Sequence, residues 1–368
     1  MKILHRHISV LCFLVMVSML PEATQTFAAE EQAAYADPGQ PGPYRVGLRT
    51  ATFVDTVRGR TLKTFFWYPA LGGDDSGAVI PDGEPDHSGG PYPLIMFSHG
   101  HTGTGNQSTH LTAYWASHGF VVAAPNHEKN TRADYDPIYL PMLQFARSVD
   151  LRFVTDQILD LNRDGSSFLH GMVEPESIGV TGHSFGGHTT LTTAGATPDL
   201  DHLAEYCKTE DWWDICPLQK EIQALYPGQR VIDESDPRMK AALALAPDAY
   251  GWFQQDGMAK IQIPIMIMAG EKDNVCPPKR EALPMYDGIR SEKYLMLQEK
   301  SGHLAYCDYC GFMTTAREDC PRVEQQIKTM STAFWRLYLK GEEGYRKAMQ
   351  DYAATQADFK LLSEPARQ

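Results

Sequence analysis

Three side chains, far apart in the chain, have the types and settings that nucleophilic catalysis needs. Residues 182–187 read GHSFGG, which places Ser184 in a G-x-S-x-G pattern between Gly182 and Gly186. Chance alone would produce that pattern about 0.1 times in a chain of this size. A serine hydroxyl is a weak nucleophile. It attacks a carbonyl when a base takes its proton and an acid holds the base in place. Downstream, Asp273 stands in AGEKDNVCPP and His303 in EKSGHLAYC. Asp248, in LAPDAYGWF, is a second candidate for the acid. The tetrahedral intermediate also needs two N–H donors for its oxyanion. The backbone of Phe185, directly after the serine, and that of His101, in SHGHTGTG, are the candidates.

These residues need a scaffold, and the hydrophobic pattern supplies one. PLIMFSH, FVVAAP, SIGVTG, AALALAP, PIMIMAG and KYLMLQ are short apolar runs, the signature of strands buried on both faces. Helical spacing appears between them at 106–118, 143–162, 186–195 and 279–289, and again at 321–340. YRVGLRTATFVD and TLKTFFWYPA alternate as an entry hairpin would, and the Gly-, Asp- and Pro-rich residues 71–92 form a loop. Strand–helix alternation of this kind predicts a mostly parallel sheet covered on both faces. Ser184 then sits where a strand gives way to a helix. Asp273 and His303 follow later strands at the same, carboxyl edge, where open α/β sheets bind ligands. Gly182 and Gly186 leave room for the sharp bend.

Residues 198–237 are too long for a simple connection and predict an insertion, lid-like, over one end of the sheet. Trp212 within it, with Trp252, Phe253 and Tyr306, forms a candidate aromatic substrate surface. Residues 341–368 are expected to form a helical tail outside a core domain at 41–340.

Composition narrows the partners. The 368 residues are 43% hydrophobic with a net charge of −13, which disfavours nucleic acid and anionic membrane surfaces. Lys2 and Arg6 precede the apolar run Ile8 to Leu20, and TFAAE follows, so residues 1–28 are expected to be a cleaved signal peptide. That implies a secreted or periplasmic protein with no lasting membrane anchor. Six of the seven cysteines lie beyond this leader, and in an exported chain an even number favours disulfides. Cys207 and Cys216 bracket a short loop that they could close. The C-x-x-C of CDYC makes zinc the rival, without a second well-spaced ligand pair. No H-E-x-x-H or similar spacing occurs among the 13 histidines, and no metal or cofactor is expected.

PLIMFSHGHTGTG, WASHGFVVAAPNH, IGVTGHSFGGHTT and AGEKDNVCPP together resemble secreted serine hydrolases related to platelet-activating-factor acetylhydrolase and to bacterial dienelactone-hydrolase-like proteins. The resemblance implies an α/β-hydrolase fold, a Ser184–His303–Asp273 triad and oxyanion donors at His101 and Phe185. Dienelactone hydrolases use a cysteine nucleophile where this chain has serine, so that activity does not transfer. The acetylhydrolases take their acid from the position matching Asp248, which keeps Asp248 as an alternative. Secreted polyester-cleaving cutinases share the same features. The expected activity is hydrolysis of a small or polymeric carboxylic ester. Cleavage of a β-diketone carbon–carbon bond by the same triad and a non-catalytic binding module are the alternatives.

Overall fold

The computed structural model describes residues 36–73, 78–209, 216–248 and 250–367, and the expected signal peptide lies outside them. β1 (Arg45–Asp55) and β2 (Arg60–Ala70) form the antiparallel entry hairpin, and β3 (Ile80–Pro81) is a brief addition beside β1. There follow β4 (Tyr92–Ser98), α1 (Thr109–Ser117), β5 (Val121–Pro125), α2 (Leu140–Arg163), β6 (Val173–His183) and α3 (Phe185–Thr193). The helices α4 (Leu200–Thr209) and α5 (Gln219–Leu225) precede β7 (Met239–Leu245), α6 (Tyr250–Met258, kinked at Gln254), β8 (Ile265–Gly270), α7 (Ala282–Gly288) and β9 (Lys293–Gln298). The chain ends with α8 (Cys320–Lys340), α9 (Gly344–Thr355) and β10 (Phe359–Glu364).

All ten strands join one sheet in the order β10-β9-β8-β7-β6-β4-β5-β2-β1-β3. The stretch β5-β4-β6-β7-β8-β9 is parallel throughout. Its registers bring the carboxyl ends together: Ser98 pairs with Gly182, His183 with Leu245, and Gly270 with Gln298. The loops after these strands therefore gather along one edge, where the candidate residues lie.

Both sheet faces are dry. Side chains alternate along a strand, so Leu94 and Met96 of β4 enter the core on one face while Ile95 and Phe97 enter the core on the other. Phe145, Leu151, Val154 and Ile158 of α2 cover the first face. On the second, Trp115 of α1 meets Trp335 of α8 edge-on at 6.1 Å, and its Nε1–H donates to Ser331 Oγ at 2.9 Å. α8 buries Val323, Ile327, Met330, Phe334 and Leu337, a helical stripe, and stops at Gly341, whose φ of 70° suits a residue without a Cβ.

Two expectations about the periphery change. The tail is not wholly helical: β10 pairs antiparallel with β9 and extends the sheet, because β9 would otherwise leave an open edge of backbone groups. The insertion contributes nothing to the cleft described below among its described residues. Its Leu200, Leu203 and Ile222 instead join the core, α5 packing on α2 and α4 on α6, and Cys207–Cys216 closes the loop between the two helices. Trp212 lies outside the described residues. Cys310 pairs with Cys320, which removes Cys310 from any zinc set, while Cys276 and Cys307 are buried outside disulfides. No described helix is long and apolar enough to cross a membrane.

Candidate active site

Ser184 stands between β6 and α3 with φ 56° and ψ −120°, a backbone conformation that L-residues rarely adopt. Its N–H donates to Leu245 O at 2.9 Å, tying the turn to the neighbouring strand end. The bend is tight. A Cβ on Gly186 would lie 1.9 Å from Ser98 O, and one on Gly182 would lie 2.4 Å from Gly186 O. Both neighbours are backbone atoms that cannot move aside, which is the physical reason for glycine at these two positions.

Asp273 and His303 meet after β8 and β9, with His303 Nδ1 2.8 Å from Asp273 Oδ2. The other carboxylate oxygen accepts N–H bonds from Val275 at 2.9 Å and Cys276 at 2.8 Å. Burial alone would raise the Asp273 carboxyl. The hydrogen bond and charge of His303, with the two backbone donors, outweigh burial and hold it below the usual carboxylate range. Asp273 thus stays ionised and holds the imidazole through Nδ1. Ser184 and His303 line the same open cleft of about 630 Å³. Asp248 also lines it, and its charge acts on the buried Arg147.

The loop after β4 is held from behind. Gly100 O accepts from Gly103 N–H at 3.0 Å and lies 2.7 Å from His99 Nδ1, while His99 Nε2 accepts the His127 N–H at 3.0 Å. Those two bonds fix the His99 tautomer as Nδ1–H. A trans peptide places its N–H opposite its C=O. With Gly100 O pinned by two donors, the His101 N–H faces the other way. Gly100 N–H is already used by Gln107 Oε1 at 3.1 Å. Phe185 opens α3, whose first N–H groups have no helical acceptors.

A second Ser–His–Asp chain lies directly beneath, and sequence reasoning missed it. Ser98 Oγ is 3.0 Å from His127 Nε2, and His127 Nδ1 is 2.9 Å from Asp150 Oδ2. Asp150 also receives Arg58 at 2.8 Å and Arg60 Nε at 2.7 Å, and Arg147 donates to Ser98 Oγ at 3.1 Å and to His99 O. Ser98, His127 and Asp150 are fully buried, whereas Ser184 retains 8% exposure at the cleft. No substrate reaches Ser98, so this chain supports the loop. Burial and the Arg147 charge lower His127 to about 3, and burial lowers Arg147 itself to about 9. No local spacing signals the network, since its partners stand 23 to 92 positions apart.

His183, His188 and three of the candidate aromatics are structural. His183 Nε2 lies 2.8 Å from His303 O and its Nδ1 3.3 Å from Cys307 Sγ, so it supports the His303 backbone. His188 Nε2 lies 3.0 Å from Gln144 O. Trp252, Phe253 and Tyr306 do not line the cleft. Trp252 and Phe253 pack on His188 of α3, and all three are at most 2% exposed, so burial of ring area in the core claims them. The cleft's aromatics are Tyr135, Tyr309 and Phe185, with His101 set edge-on to Tyr135 at 4.9 Å. Among the described residues, one group of three could hold a metal ion: Asp273, Cys276 and His303.

A serine on a strand-to-helix turn, followed in the chain by an aspartate and a histidine that pair after later strands of a mostly parallel sheet, is the arrangement of the α/β-hydrolases, and the chain has that fold. Within that class, the PET hydrolase-like family model matches residues 227–319, the part holding Asp248, Asp273 and His303. The chlorophyllase model matches residues 83–201, the part holding His101 and Ser184. The chain is 26% identical to cutinase est1 of Thermobifida alba over 200 residues, 54% of this chain and 49% of that protein. It is 25% identical to cutinase 2 of Thermobifida cellulosilytica over 209 residues, 56% of this chain and 58% of that one. A second Thermobifida alba enzyme, cutinase est2, is 26% identical over 58% of this chain and 53% of its own length. The chain spans about half the length of the curated relatives it matches. These likenesses agree with the expected kinship to serine esterases.

Proposed function

We propose that the protein is a serine carboxylic-ester hydrolase working through an acyl-enzyme on Ser184. The observation that carries this reading is the Asp273–His303 pair at 2.8 Å, sharing one cleft with a serine on a strained strand-to-helix turn. His303 Nε2 takes the Ser184 proton as Oγ attacks the ester carbonyl. The oxyanion is received by the N–H groups of Phe185 and His101, already oriented before substrate arrives, which is where such donors gain their effect. His303 then passes its proton to the leaving alcohol. In the second half it activates a water that releases the acid from Ser184. Asp273 stays ionised throughout.

Polyesters are the substrate class we favour. The PET hydrolase-like and cutinase likenesses support it, as does an open cleft bearing Tyr135, Tyr309, Leu140 and Val275, suited to a length of apolar chain. Action outside the cytoplasm is supported by the two disulfides and the leader-like N-terminus. The test is a series of p-nitrophenyl esters of rising chain length and a polyester film, with Ser184→Ala as the blank. A fluorophosphonate probe should label Ser184 alone. Absence of that adduct in the folded protein would refute the serine mechanism, and hydrolysis of soluble esters without release from the film would refute the polymer assignment.

A further inference from the structure

We infer that Asp273, Cys276 and His303 form a binding site for a soft divalent cation of the zinc class, and that its occupancy switches the active site off. The inhibitory consequence rests on the reading of His303 as the base; the binding itself does not. The Asp273-to-Cys276 turn is closed by two N–H bonds to Asp273 Oδ1, which brings Cys276 alongside the carboxylate that also holds His303 Nδ1. One ligand atom from each residue lies within 4.8 Å of the other two. In a tetrahedral zinc site, with metal–sulfur near 2.3 Å and metal–nitrogen or –oxygen near 2.0–2.2 Å, donors stand roughly 3.3–3.8 Å apart. Shifts of about 1 Å therefore bring all three onto one ion.

The surroundings suit a metal. Cys276, Asp273 and His303 are only 3–5% exposed, so few waters compete for the ion, yet Cys276 and His303 line the cleft and provide its way in. A thiolate selects zinc or cadmium over magnesium and calcium, which prefer all-oxygen sites. The chain's net charge of −13 raises the local cation concentration. Binding displaces the Cys276 thiol proton to solvent, so affinity rises with pH. With a ring nitrogen and the carboxylate both on the metal, His303 can no longer receive the Ser184 proton.

The experiment uses the full chain freed of metal. Cobalt(II) should produce a thiolate-to-metal charge-transfer absorption, and zinc should displace the cobalt and abolish ester turnover; magnesium should do neither. Cys276→Ala keeps the backbone N–H on Asp273, and its zinc response is read against its own metal-free turnover. It should lose the absorption and raise the zinc concentration for half-inhibition by about 100-fold, the upper end of what outer-shell losses cost at metal sites. Cys307→Ala, at the other buried thiol, should change neither readout. If Cys276→Ala fails to fold, Cys276→Ser, close in size, gives the same comparison. An absorption that persists without the Cys276 sulfur, or zinc inhibition indifferent to it, overturns the proposal. A chain that shows the absorption yet hydrolyses no ester refutes the proposed activity and leaves the metal site standing. An active, zinc-insensitive chain does the reverse.

Discussion

Acidification from pH 7 to pH 5 should unfold this protein far more readily than its carboxylates would suggest. Burial is the main cause that lowers His127 and His183 to about 3 and His188 to about 4, against an ordinary value of 6.5. Arg147 lowers His127 further, and His303 lowers His183 further. The folded chain keeps all three neutral, while the unfolded chain protonates them below about pH 6.5. Between those values the unfolded state binds more protons, so stability rises with pH. It is complete above 6.5 and is lost as pH falls toward the folded values. Integrating the proton difference, each histidine costs about 2 kcal/mol at pH 5 and almost nothing at pH 7. Three together cost about 5 kcal/mol across the interval, a large part of a typical folding free energy of about 5–15 kcal/mol, and His99, held well below its ordinary value by burial and by the Arg147 charge, adds to the loss. Asp150 adds nothing in this window: His127 and Arg60 overcome its burial and hold its carboxyl depressed, so its share is lost only below about pH 4. With a urea slope of about 3 kcal/mol/M, the midpoint should drop by about 1.5–2 M from pH 7 to pH 5. His188→Gln should reduce that drop by about 0.6 M. A midpoint that moves by less than about 0.5 M would show that these histidines take up protons inside the fold, and the argument from burial would fail.

Four further outcomes follow from the geometry. Ser184→Ala should abolish p-nitrophenyl ester hydrolysis and fluorophosphonate labelling while leaving the melting temperature within a few degrees, since it removes one oxygen at the cleft; retained turnover would point to another nucleophile. Asp273→Asn should cut kcat by about 10⁴-fold, because the amide no longer holds His303 in the working tautomer. Asp248→Asn should cost turnover less than tenfold and act on stability through the Arg147 charge it helps balance, and the reverse ranking in steady-state kinetics would move the acid. Gly186→Ala should destabilise by more than about 4 kcal/mol or prevent folding, read by thermal melts, because its Cβ meets the Ser98 carbonyl at 1.9 Å.

The parts of this chain that sequence reasoning located are those with local signatures. β4, β6, β7, β8 and β9 announce themselves as apolar runs because each is buried on both faces. The GHSFGG turn does so because a sharp bend at a crowded strand end tolerates little besides glycine. The errors share one cause. Trp252, Phe253 and Tyr306 have the composition of a substrate surface and the burial of a core, and composition does not say which way a ring points. FKLLSE carries too weak an alternation to register as a strand until the open edge of β9 recruits it.

Taken alone, the sequence determines a parallel α/β sheet, a serine on a glycine-flanked turn, and an acid and a histidine after later strands, since each follows from residues adjacent in the chain. Tertiary structure decides the rest. It joins Asp273 to His303 across 30 positions, sets Asp248 near Arg147, and hides a second Ser98–His127–Asp150 chain behind the loop after β4. It also brings the Cys276 thiol to the working pair. Contacts between distant residues depend on sheet order and register, and a linear pattern of apolar and polar residues carries neither.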